Sequence, residues 1–336
     1  MIDFTTLEKY DSQKMYKIYD KWPKIAIEFY EKKNSKIDYH GIEHIIFAGM
    51  GGSGTIGDIC SSILSKTDMH VTNVKGYLLP KTVDKNTLIV ITSVSGNTNE
   101  TLTVLDSAQK HGNKVVAFSS GGKMKNYCIR NQISYYEVPP FHSPRASLPA
   151  FLYSVLNILE FLLPIKKNDV VESIEKLKEI NEQISSSNLN ENNPAIKLAN
   201  WIKDIPLIYY PLGLQAAAVR FKNSLQENAK LHVVVEDVIE ACHNGIVAWE
   251  KNSIVKPILI EGKDDYTKTK ERWEILKTYF KLNKIEFKEI FSTNGGILAK
   301  LMHLIYFLDY ASIYLAVLRK IDPTPVKAID FVKERL

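Results

Sequence analysis

Two segments rich in glycine and hydroxyl side chains are the clearest candidates for chemistry in this sequence. The first, Gly49 to Gly54, reads Gly-Met-Gly-Gly-Ser-Gly, and the second, Ser93 to Thr98, reads Ser-Val-Ser-Gly-Asn-Thr. Each follows a short apolar run and precedes an amphipathic stretch, so each is expected to join a strand to a helix. Helix N-terminal N–H groups and neutral hydroxyls can bind a phosphate without a lysine. The pair therefore indicates a site for one phosphate monoester.

Two other interpretations of these segments compete with a phosphate site. Gly49 to Gly54 matches the G-x-G-x-x-G pattern of dinucleotide-binding loops, which also require an acidic residue at the end of the next strand. Here Asp68 precedes that strand, the strand ends at Lys75, and Ser53 stands among the glycines. Ser, Asn and Thr are also common helix caps. Two such segments after consecutive strands favour phosphate binding over both interpretations.

The predicted elements around these segments alternate between strands and helices. Strands are predicted in the first half at 44–48, 70–74, 87–93, 114–119 and 133–138. Helices are predicted at 55–66 and 99–111, after a helical stretch at 6–33 that Pro23 interrupts. Buried β-branched strands that alternate with amphipathic helices are typical of a doubly wound, mainly parallel sheet flanked by helices.

The same pattern begins again in the second half of the chain. Strands are predicted at 206–211, 231–235, 256–261 and 285–291, with helices at 214–230 and 266–282. Both halves open with a strand, a tight turn and a helix, which indicates a duplicated domain. The polar stretch 166–193 separates the halves. We therefore expect an α/β protein of two domains, residues 1–165 and 166–336.

The two glycine–hydroxyl segments resemble those of the sugar isomerase (SIS) domain, a phosphosugar-binding module with a flavodoxin-like sheet. The resemblance implies two flavodoxin-like domains, the first of which holds the phosphosugar. The residues that it assigns to phosphate binding are Gly51, Gly52, Ser53, Ser93, Ser95 and Thr98. The same module is a sensor in transcriptional regulators, so the resemblance of these segments alone implies binding and not turnover.

Nearly the whole chain is similar to the bifunctional phosphoglucose/phosphomannose isomerases. This similarity is carried by the two SIS domains, by Ser-Pro-Arg-Ala at 143–146, by Glu-Asn and His-Asn sixteen residues apart, and by Asp-Pro-Thr-Pro-Val at 322–326. By this resemblance Glu227 is the base that moves a proton between C1 and C2 of the sugar. His243 opens the sugar ring, and Arg145 stabilises negative charge on the intermediate.

The family also uses a lysine near the C-terminus for ring opening, and Lys327 and Lys333 are the candidates here. A helix is predicted to begin at Thr324 as N-cap, with Pro325 at the first position. On that helix Lys333 lies on the same face as the apolar Ile329. We therefore prefer Lys333 and keep Lys327 as the second choice.

The sequence before the histidine departs from the family, which is expected to read closer to Glu-Leu-Asn-His-Asn. Here the segment is Glu240-Ala241-Cys242-His243-Asn244. Glu240 is therefore a second candidate, either as the orienting partner of His243 or as the base.

Composition argues against several classes of protein. The 43 basic and 38 acidic residues are spread along 336 positions, so the net charge of +5 gives no support to nucleic-acid binding. The three distant cysteines suit neither a disulfide framework nor a thiolate metal site. The first residues lack the features of a signal peptide. The apolar stretch 148–165 carries Glu160 and two prolines, which favours a buried helix over a membrane span. We expect a cytoplasmic protein.

The expected activity is the isomerisation of a sugar phosphate. By resemblance, the chain interconverts glucose 6-phosphate and mannose 6-phosphate with fructose 6-phosphate through a cis-enediol, with no cofactor and no metal. The resemblance also implies a homodimer in which His243 acts across the subunit interface. Two alternatives stay open. One is a phosphosugar-binding regulator without turnover, although no helix-turn-helix segment is evident; the other is an ammonia-dependent isomerase of the glucosamine 6-phosphate type.

Overall fold

The structure is a computed structural model that describes residues 2–336. Over these residues the strands are β1 His44–Ala48, β2 His70–Val74, β3 Thr87–Ser93, β4 Lys114–Ser119, β5 Ser134–Glu137, β6 Ile205–Tyr210, β7 Val234–Asp237, β8 Val255–Glu261 and β9 Lys288–Phe291. The α-helices are α1 Phe4–Tyr10, α2 Met15–Tyr19, α3 Trp22–Glu31, α4 Gly51–Leu64, α5 Asn99–Lys110, α6 Gly122–Arg130, α7 Leu148–Ile158, α8 Lys167–Ile184, α9 Pro194–Trp201, α10 Gln215–Ala229, α11 Val238–Ala241, α12 Thr267–Leu282, α13 Ile297–Leu318 and α14 Lys327–Lys333.

The chain divides into two compact units, and each combines segments that are distant in sequence. The first-sheet unit consists of Lys21–Val170 and Lys327–Leu336, and the second-sheet unit consists of residues 2–20 and Val171–Val326. The division therefore lies five residues beyond the predicted one, at 165, and the two ends of the chain belong to the opposite units. Tyr19 illustrates the difference: it lies near the N-terminus, but its hydroxyl donates a hydrogen bond of 3.0 Å to Asp309 of α13, in the second-sheet unit.

The first-sheet unit contains a five-stranded, wholly parallel sheet with the order β2-β1-β3-β4-β5. Every residue of β1 and β3 is buried, which explains why both strands are continuous apolar runs in the sequence. Helices α4, α5 and α6 connect successive strands and pack on them. This strand order is the flavodoxin-like order, and it confirms the predicted fold class.

The second-sheet unit contains four parallel strands with the order β7-β6-β8-β9. This order is the same as that of β2, β1, β3 and β4 in the first sheet, which supports duplication of one domain. The core beside it is aromatic: Trp249 donates to the hydroxyl of Tyr209 at 2.8 Å, and both pack with Trp273 and Phe280.

Helix α13 is the central helix of the second-sheet unit. Among residues 2–336 it is the one helix long and apolar enough to cross a membrane, and 83% of its most apolar stretch is buried inside the protein. A buried core helix has the same composition. The carboxylate of Asp309, in the middle of this helix, is fully buried and pairs with Arg220 of α10.

Several predicted elements have different bounds in the structure. The stretch 6–33 forms three helices, α1 to α3, and the apolar helix predicted at 148–165 ends at Ile158. The polar stretch 166–193 is mostly helix α8. The helix predicted from Thr55 begins at Gly51, and the C-terminal helix begins at Lys327 rather than after Thr324.

Candidate functional site

The first loop leaves β1 and turns directly into α4. Because α4 begins at Gly51, the segment Gly51, Gly52 and Ser53 forms its first turn. The N–H groups of Ser53 and Gly54 donate to the carbonyl of Met50, which leaves those of Gly51 and Gly52 available to an anion. Gly51 has a φ of +53°, a backbone conformation that favours glycine.

The second loop, after β3, brings three hydroxyl groups together. The Ser93 and Thr98 hydroxyls are 3.0 Å apart, and the Ser93 oxygen also accepts the N–H of Gly96 at 3.2 Å. The Ser95 oxygen accepts the N–H of Asn97 at 3.2 Å. The turn therefore presents all three predicted hydroxyl residues together, while the Ser95 side chain remains exposed.

The hydroxyls of these loops do not cap the helices that follow them. Thr98 occupies the N-cap position of α5, and Met50 that of α4, but neither side chain makes a capping hydrogen bond. Capping was the alternative explanation for the polar residues. The Thr98 hydroxyl therefore contacts Ser93 instead of capping α5.

Ser53 joins the two loops. Its side chain is 6% exposed, and its oxygen accepts the N–H of Val94 at 3.3 Å. The loops are neighbours because β1 and β3 are adjacent parallel strands, with β2 on the other side of β1. Ligands of open α/β sheets bind at the carboxyl ends of the strands where the order reverses. We call this pair of loops, residues 49–53 and 93–98, the hydroxyl cradle.

A third loop, which the sequence analysis missed, fixes the shape of the hydroxyl cradle. Gly96 has a φ of +66°, and a Cβ atom there would lie 1.9 Å from the carbonyl oxygen of Gly121. A Cβ atom on Gly122 would lie 2.6 Å from the Ser95 carbonyl oxygen. The N–H of Met124 donates to the Gly96 carbonyl at 2.9 Å. Two glycines directly after the buried strand β4 were the available signal.

Arg145 lies next to the first loop of the hydroxyl cradle. A Cβ atom on Gly52 would lie 2.9 Å from the carbonyl oxygen of Pro144 and 3.5 Å from the backbone nitrogen of Arg145. Arg145 is 4% exposed. The backbone of this buried basic residue therefore lies beside the N-terminus of α4, in the same unit as the cradle.

The strand next to β1 lacks the acidic residue that a dinucleotide site needs. At the end of β2, Lys75 pairs with Asp58 of α4 at 2.6 Å, and the Asn73 side chain donates to the same carboxylate at 3.4 Å. A cation thus occupies the position where a carboxylate would hold a ribose. The cradle suits a single phosphate group better than a dinucleotide.

Glu227 lies near the C-terminal end of α10 and is half-buried. The same helix is fixed to α13 by two buried contacts. Arg220 pairs with Asp309 at 2.7 Å, and Asn228 donates to Ser312 at 2.7 Å. Burial disfavours the charged form of Arg220, but Asp309 and, more weakly, Glu227 outweigh it and raise the pKa of the guanidinium. Glu227 therefore extends from a helix that a buried ion pair and a buried hydrogen bond fix to α13.

Lys230 connects Glu227 to the Asp322–Val326 segment. Its ammonium donates to the Glu227 carbonyl at 2.5 Å and to the Pro325 carbonyl at 2.8 Å. The side chain of Asp322 accepts the N–H of Thr324 at 2.9 Å, which holds this segment in a turn. No local sequence pattern marks Lys230, since its contact with Pro325 spans 95 residues.

His243 follows the short helix α11 and is exposed. Asp237 caps α11 by accepting the N–H groups of Ile239 and Glu240. The carboxylate of Glu240 accepts the side-chain amide of Asn244 at 2.8 Å. The contact of Glu240 is thus with Asn244, the residue next to His243.

Glu227 and His243 lie at opposite edges of the second sheet. Helix α10 starts at the carboxyl edge, after β6, and Glu227 is about 18 Å farther along its axis, at about 1.5 Å per residue. His243 follows β7, which is parallel to β6, so it lies at the carboxyl edge. The structure of one chain therefore does not bring these two predicted residues together.

Lys327 and Lys333 are the first and last residues of α14, and every residue of that helix is exposed. Helix α14 belongs to the first-sheet unit, which also holds the hydroxyl cradle and Arg145. Lys333 and Ile329 still share one face of the helix, although its first residue is Lys327, two positions later than the predicted Pro325.

The hydroxyl cradle has no equivalent in the matching loops of the second sheet. After β6 the chain reads Pro211-Leu212-Gly213-Leu214, and after β8 it reads Gly262-Lys263-Asp264-Asp265. The first contains no hydroxyl group and the second is acidic. Among residues 2–336, moreover, no group of three or more His, Cys, Asp or Glu side chains is placed to hold a metal ion.

Comparison with protein families identifies the second half of the chain. Residues 191–336 match the model described as the bacterial phospho-glucose isomerase C-terminal SIS domain.

Comparison with characterised proteins and solved structures covers almost the whole chain. It is 30% identical to a bifunctional phosphoglucose/phosphomannose isomerase of Caldicellulosiruptor bescii, over 93% of this chain and 94% of that protein. It is 32% identical to the Aquifex aeolicus protein of the same description, over 87% and 90%. A glucose-6-phosphate isomerase structure from Chlamydia trachomatis matches with a TM-score of 0.69 and 14% identity, over 96% of this chain and 72% of that one. This last likeness concerns the fold.

Proposed function

The chain belongs to the bifunctional phosphoglucose/phosphomannose isomerase family, and on that premise we propose that it interconverts glucose 6-phosphate and mannose 6-phosphate with fructose 6-phosphate. The observation that carries the proposal is the hydroxyl cradle at the carboxyl ends of β1 and β3. Its three hydroxyl residues surround one turn beside a helix N-terminus. That chemistry selects a compact dianion such as a phosphate monoester.

Phosphate binding is assigned to both loops of the cradle. The N–H groups of Gly51 and Gly52 donate to phosphate oxygens, and the hydroxyls of Ser93, Ser95 and Thr98 donate to the remaining ones. Ser53 orders the two loops through Val94. Neutral donors bind the phosphate of substrate and product alike, so this part of the site contributes mainly to affinity.

Proton transfer is assigned to Glu227. Its carboxylate removes the proton from C2 of the open-chain aldose, and the electron pair moves to form a cis-enediol as the C1 oxygen gains a proton. The acid form of Glu227 then returns the proton to C1, and the C2 oxygen loses its proton to give the ketose. Arg145 stabilises the negative charge on the enediol oxygens.

One enediol accounts for both aldose substrates. Glucose 6-phosphate and mannose 6-phosphate differ only at C2, and that centre is planar in the intermediate. A base that can return the proton to either face of C2 therefore forms either aldose. Lys230 keeps Thr324 and Pro325 beside the C-terminal end of α10, so we assign to this segment the control of which face is used.

Ring opening is assigned to His243 and Lys333, with Lys327 as the second choice of lysine. We propose that the protein acts in the cytoplasm as a homodimer and that His243 serves the site of the neighbouring subunit. The separation of Glu227 and His243 at opposite edges of one sheet supports that arrangement.

The assignments are tested by kinetics of three variants. Glu227→Gln should abolish turnover of fructose 6-phosphate while leaving its binding within a few-fold of wild type. Ser93→Ala should raise KM with a smaller effect on kcat, because it removes a uniform binding contact. Ser65→Ala, the same substitution at an exposed position directly after α4, is the control. Strong loss of phosphosugar binding in Glu227→Gln would contradict the division of roles.

The shared site is tested by mixing two inactive variants. Equal amounts of Glu227→Gln and His243→Ala, unfolded and refolded together, should regain about a quarter of wild-type activity, since half of the dimers are mixed and each has one complete site. Failure to regain activity, with mixed dimers shown by mass spectrometry, would refute action of His243 across subunits. It would leave the isomerase proposal to be decided by the wild-type activity.

A further inference from the structure

A cavity of about 320 Å³ lies in the second-sheet unit, at the edge strand β9. Helices α8, α9 and α13 form its other walls. Strand β9 pairs with β8 on one side only, whereas the matching strand β4 of the first sheet also pairs with β5. The cavity is thus associated with the open edge of the four-stranded sheet. We call it the edge cavity.

The walls of the edge cavity are largely apolar. Phe291, which is 48% exposed, and Phe307 provide aromatic surface, and Ile180 and Leu198 provide aliphatic surface. Phe291 lies at the end of the edge strand β9, so its ring is accessible from the cavity. An apolar body of a ligand would cover this surface.

The charged groups around the edge cavity are predominantly basic. Lys197 and Lys288 line it, and within residues 2–336 neither makes an ion pair. The one lining carboxylate, Glu289, pairs with Lys277 at 2.9 Å. Two lysines with no acidic partner in the described structure therefore face a cavity that is lined by one carboxylate, and that carboxylate is bound by Lys277.

His303 provides a buried polar atom in the same wall. Its Nδ1 atom is buried and has no hydrogen-bond partner in the described structure. Burial, reinforced by Lys176 and Lys263 and opposed by Glu179, lowers the pKa of the imidazole to about 4. The ring is therefore neutral at physiological pH and carries one N–H. Buried polar atoms without a partner are rare in folded proteins.

We propose that the edge cavity is a binding site for a small amphipathic anion, separate from the hydroxyl cradle. Its anionic group lies between Lys197 and Lys288 and contacts His303, and its apolar body lies against Phe291 and Phe307. At about 30 Å³ per water molecule, the cavity has room for about ten waters, which suits a ligand of similar heavy-atom count. Pockets that bind small molecules begin at about this size.

The probe is 4-(trifluoromethyl)benzoate, and binding is followed by its ¹⁹F resonance. For a probe of this size we expect a Kd of about 1 mM or tighter. The double variant Lys197→Met, Lys288→Met should weaken binding at least about tenfold, as the loss of one charge-assisted contact does. The control Lys251→Met removes an exposed charge from the same unit and should leave the Kd unchanged.

Three further measurements distinguish this site from the hydroxyl cradle and from unspecific binding. Saturating fructose 6-phosphate should not displace the probe, and 4-(trifluoromethyl)benzyl alcohol, which lacks the charge, should bind far more weakly. His303→Gln should weaken binding of the probe without changing the kcat or KM of the isomerase reaction. Displacement by the sugar phosphate, equal binding of the alcohol, or an unchanged Kd in the double lysine variant would each overturn the proposal.

Discussion

The buried carboxylate of Asp309 is the most informative single position for testing how the second-sheet unit is held together. It is fully buried and accepts hydrogen bonds from three side chains, those of Tyr19, Arg220 and Ser224. Tyr19 lies on α2, whereas Arg220 and Ser224 both lie on α10, so two distant parts of the chain meet at this carboxylate. Replacement by alanine would leave the guanidinium of Arg220, itself 2% exposed, without the charge that it pairs with.

The expected cost of Asp309→Ala is about 4 kcal/mol, since removal of one partner from a buried ion pair costs about 3–5 kcal/mol. Domains are stable by only about 5–15 kcal/mol, so the variant should lose a large part of the stability of the unit. By contrast, Arg220→Leu combined with Asp309→Leu should recover most of the loss. Apolar replacement of both members of a buried pair is often neutral or stabilising.

The assay is urea unfolding followed by tryptophan fluorescence. Three of the four tryptophans, Trp201, Trp249 and Trp273, lie in the second-sheet unit, so the signal reports mainly on that unit. Glu182→Ala, which removes an exposed carboxylate, is the control and should change stability by less than about 0.5 kcal/mol. A loss below about 1 kcal/mol in Asp309→Ala, or a double variant less stable than the single one, would refute the reasoning.

Three further predictions concern the cradle and two buried titratable groups. Gly96→Ala would place Cβ 1.9 Å from the Gly121 carbonyl oxygen, so KM for glucose 6-phosphate should rise at least tenfold; Gly41→Ala, also at positive φ but in open space, should leave KM unchanged. Burial raises the pKa of Glu261 to about 7, so wild type should lose stability as pH rises from about 5 to 8 and this carboxyl group becomes charged. Over that range the melting temperature of Glu261→Gln should rise relative to that of wild type, and a constant difference between the two would contradict this. Burial lowers the pKa of His303 to about 4, so wild type should lose stability as pH falls from about 6.5 to 4; His303→Gln should lose less, and parallel curves would contradict this.

Buried strands were the most predictable part of this fold. The bounds of β1 to β4 are the predicted ones, because β1, β3 and β4 are mainly apolar runs between clear turn residues and β2 is a short segment rich in β-branched residues. The start of α4 was wrong by four residues. Glycine is a poor helix former, but Gly51 begins the helix at a positive φ, and the following residues continue its first turn.

The ends of the chain were less predictable because long-range contacts decide their packing. Helix α2 belongs with the second-sheet unit, where Tyr19 contacts a residue 290 positions away. The C-terminal helix begins after Asp322 has capped a separate turn at Thr324, so Pro325 does not start it. Such side-chain turns compete with helix formation in ways that local propensity does not reveal.

The residues proposed to bind phosphate were recognisable because their chemistry is local. Ser93, Ser95 and Thr98 lie within one turn, and the sequence order alone brings their hydroxyls together. Lys230 could not be recognised in this way, since its role depends on Pro325, far away in the chain. The roles of Glu227 and His243 came from family resemblance and remain predictions.

Incubation with fructose 6-phosphate in D₂O, after EDTA treatment, tests the central claim most directly. Proton NMR should show glucose 6-phosphate and mannose 6-phosphate, both with some deuterium at C2, because the proton held by Glu227 exchanges with solvent in the enediol intermediate. Formation of neither aldose, while the sugar phosphate still raises the melting temperature, would contradict the account and leave a phosphosugar-binding protein without turnover.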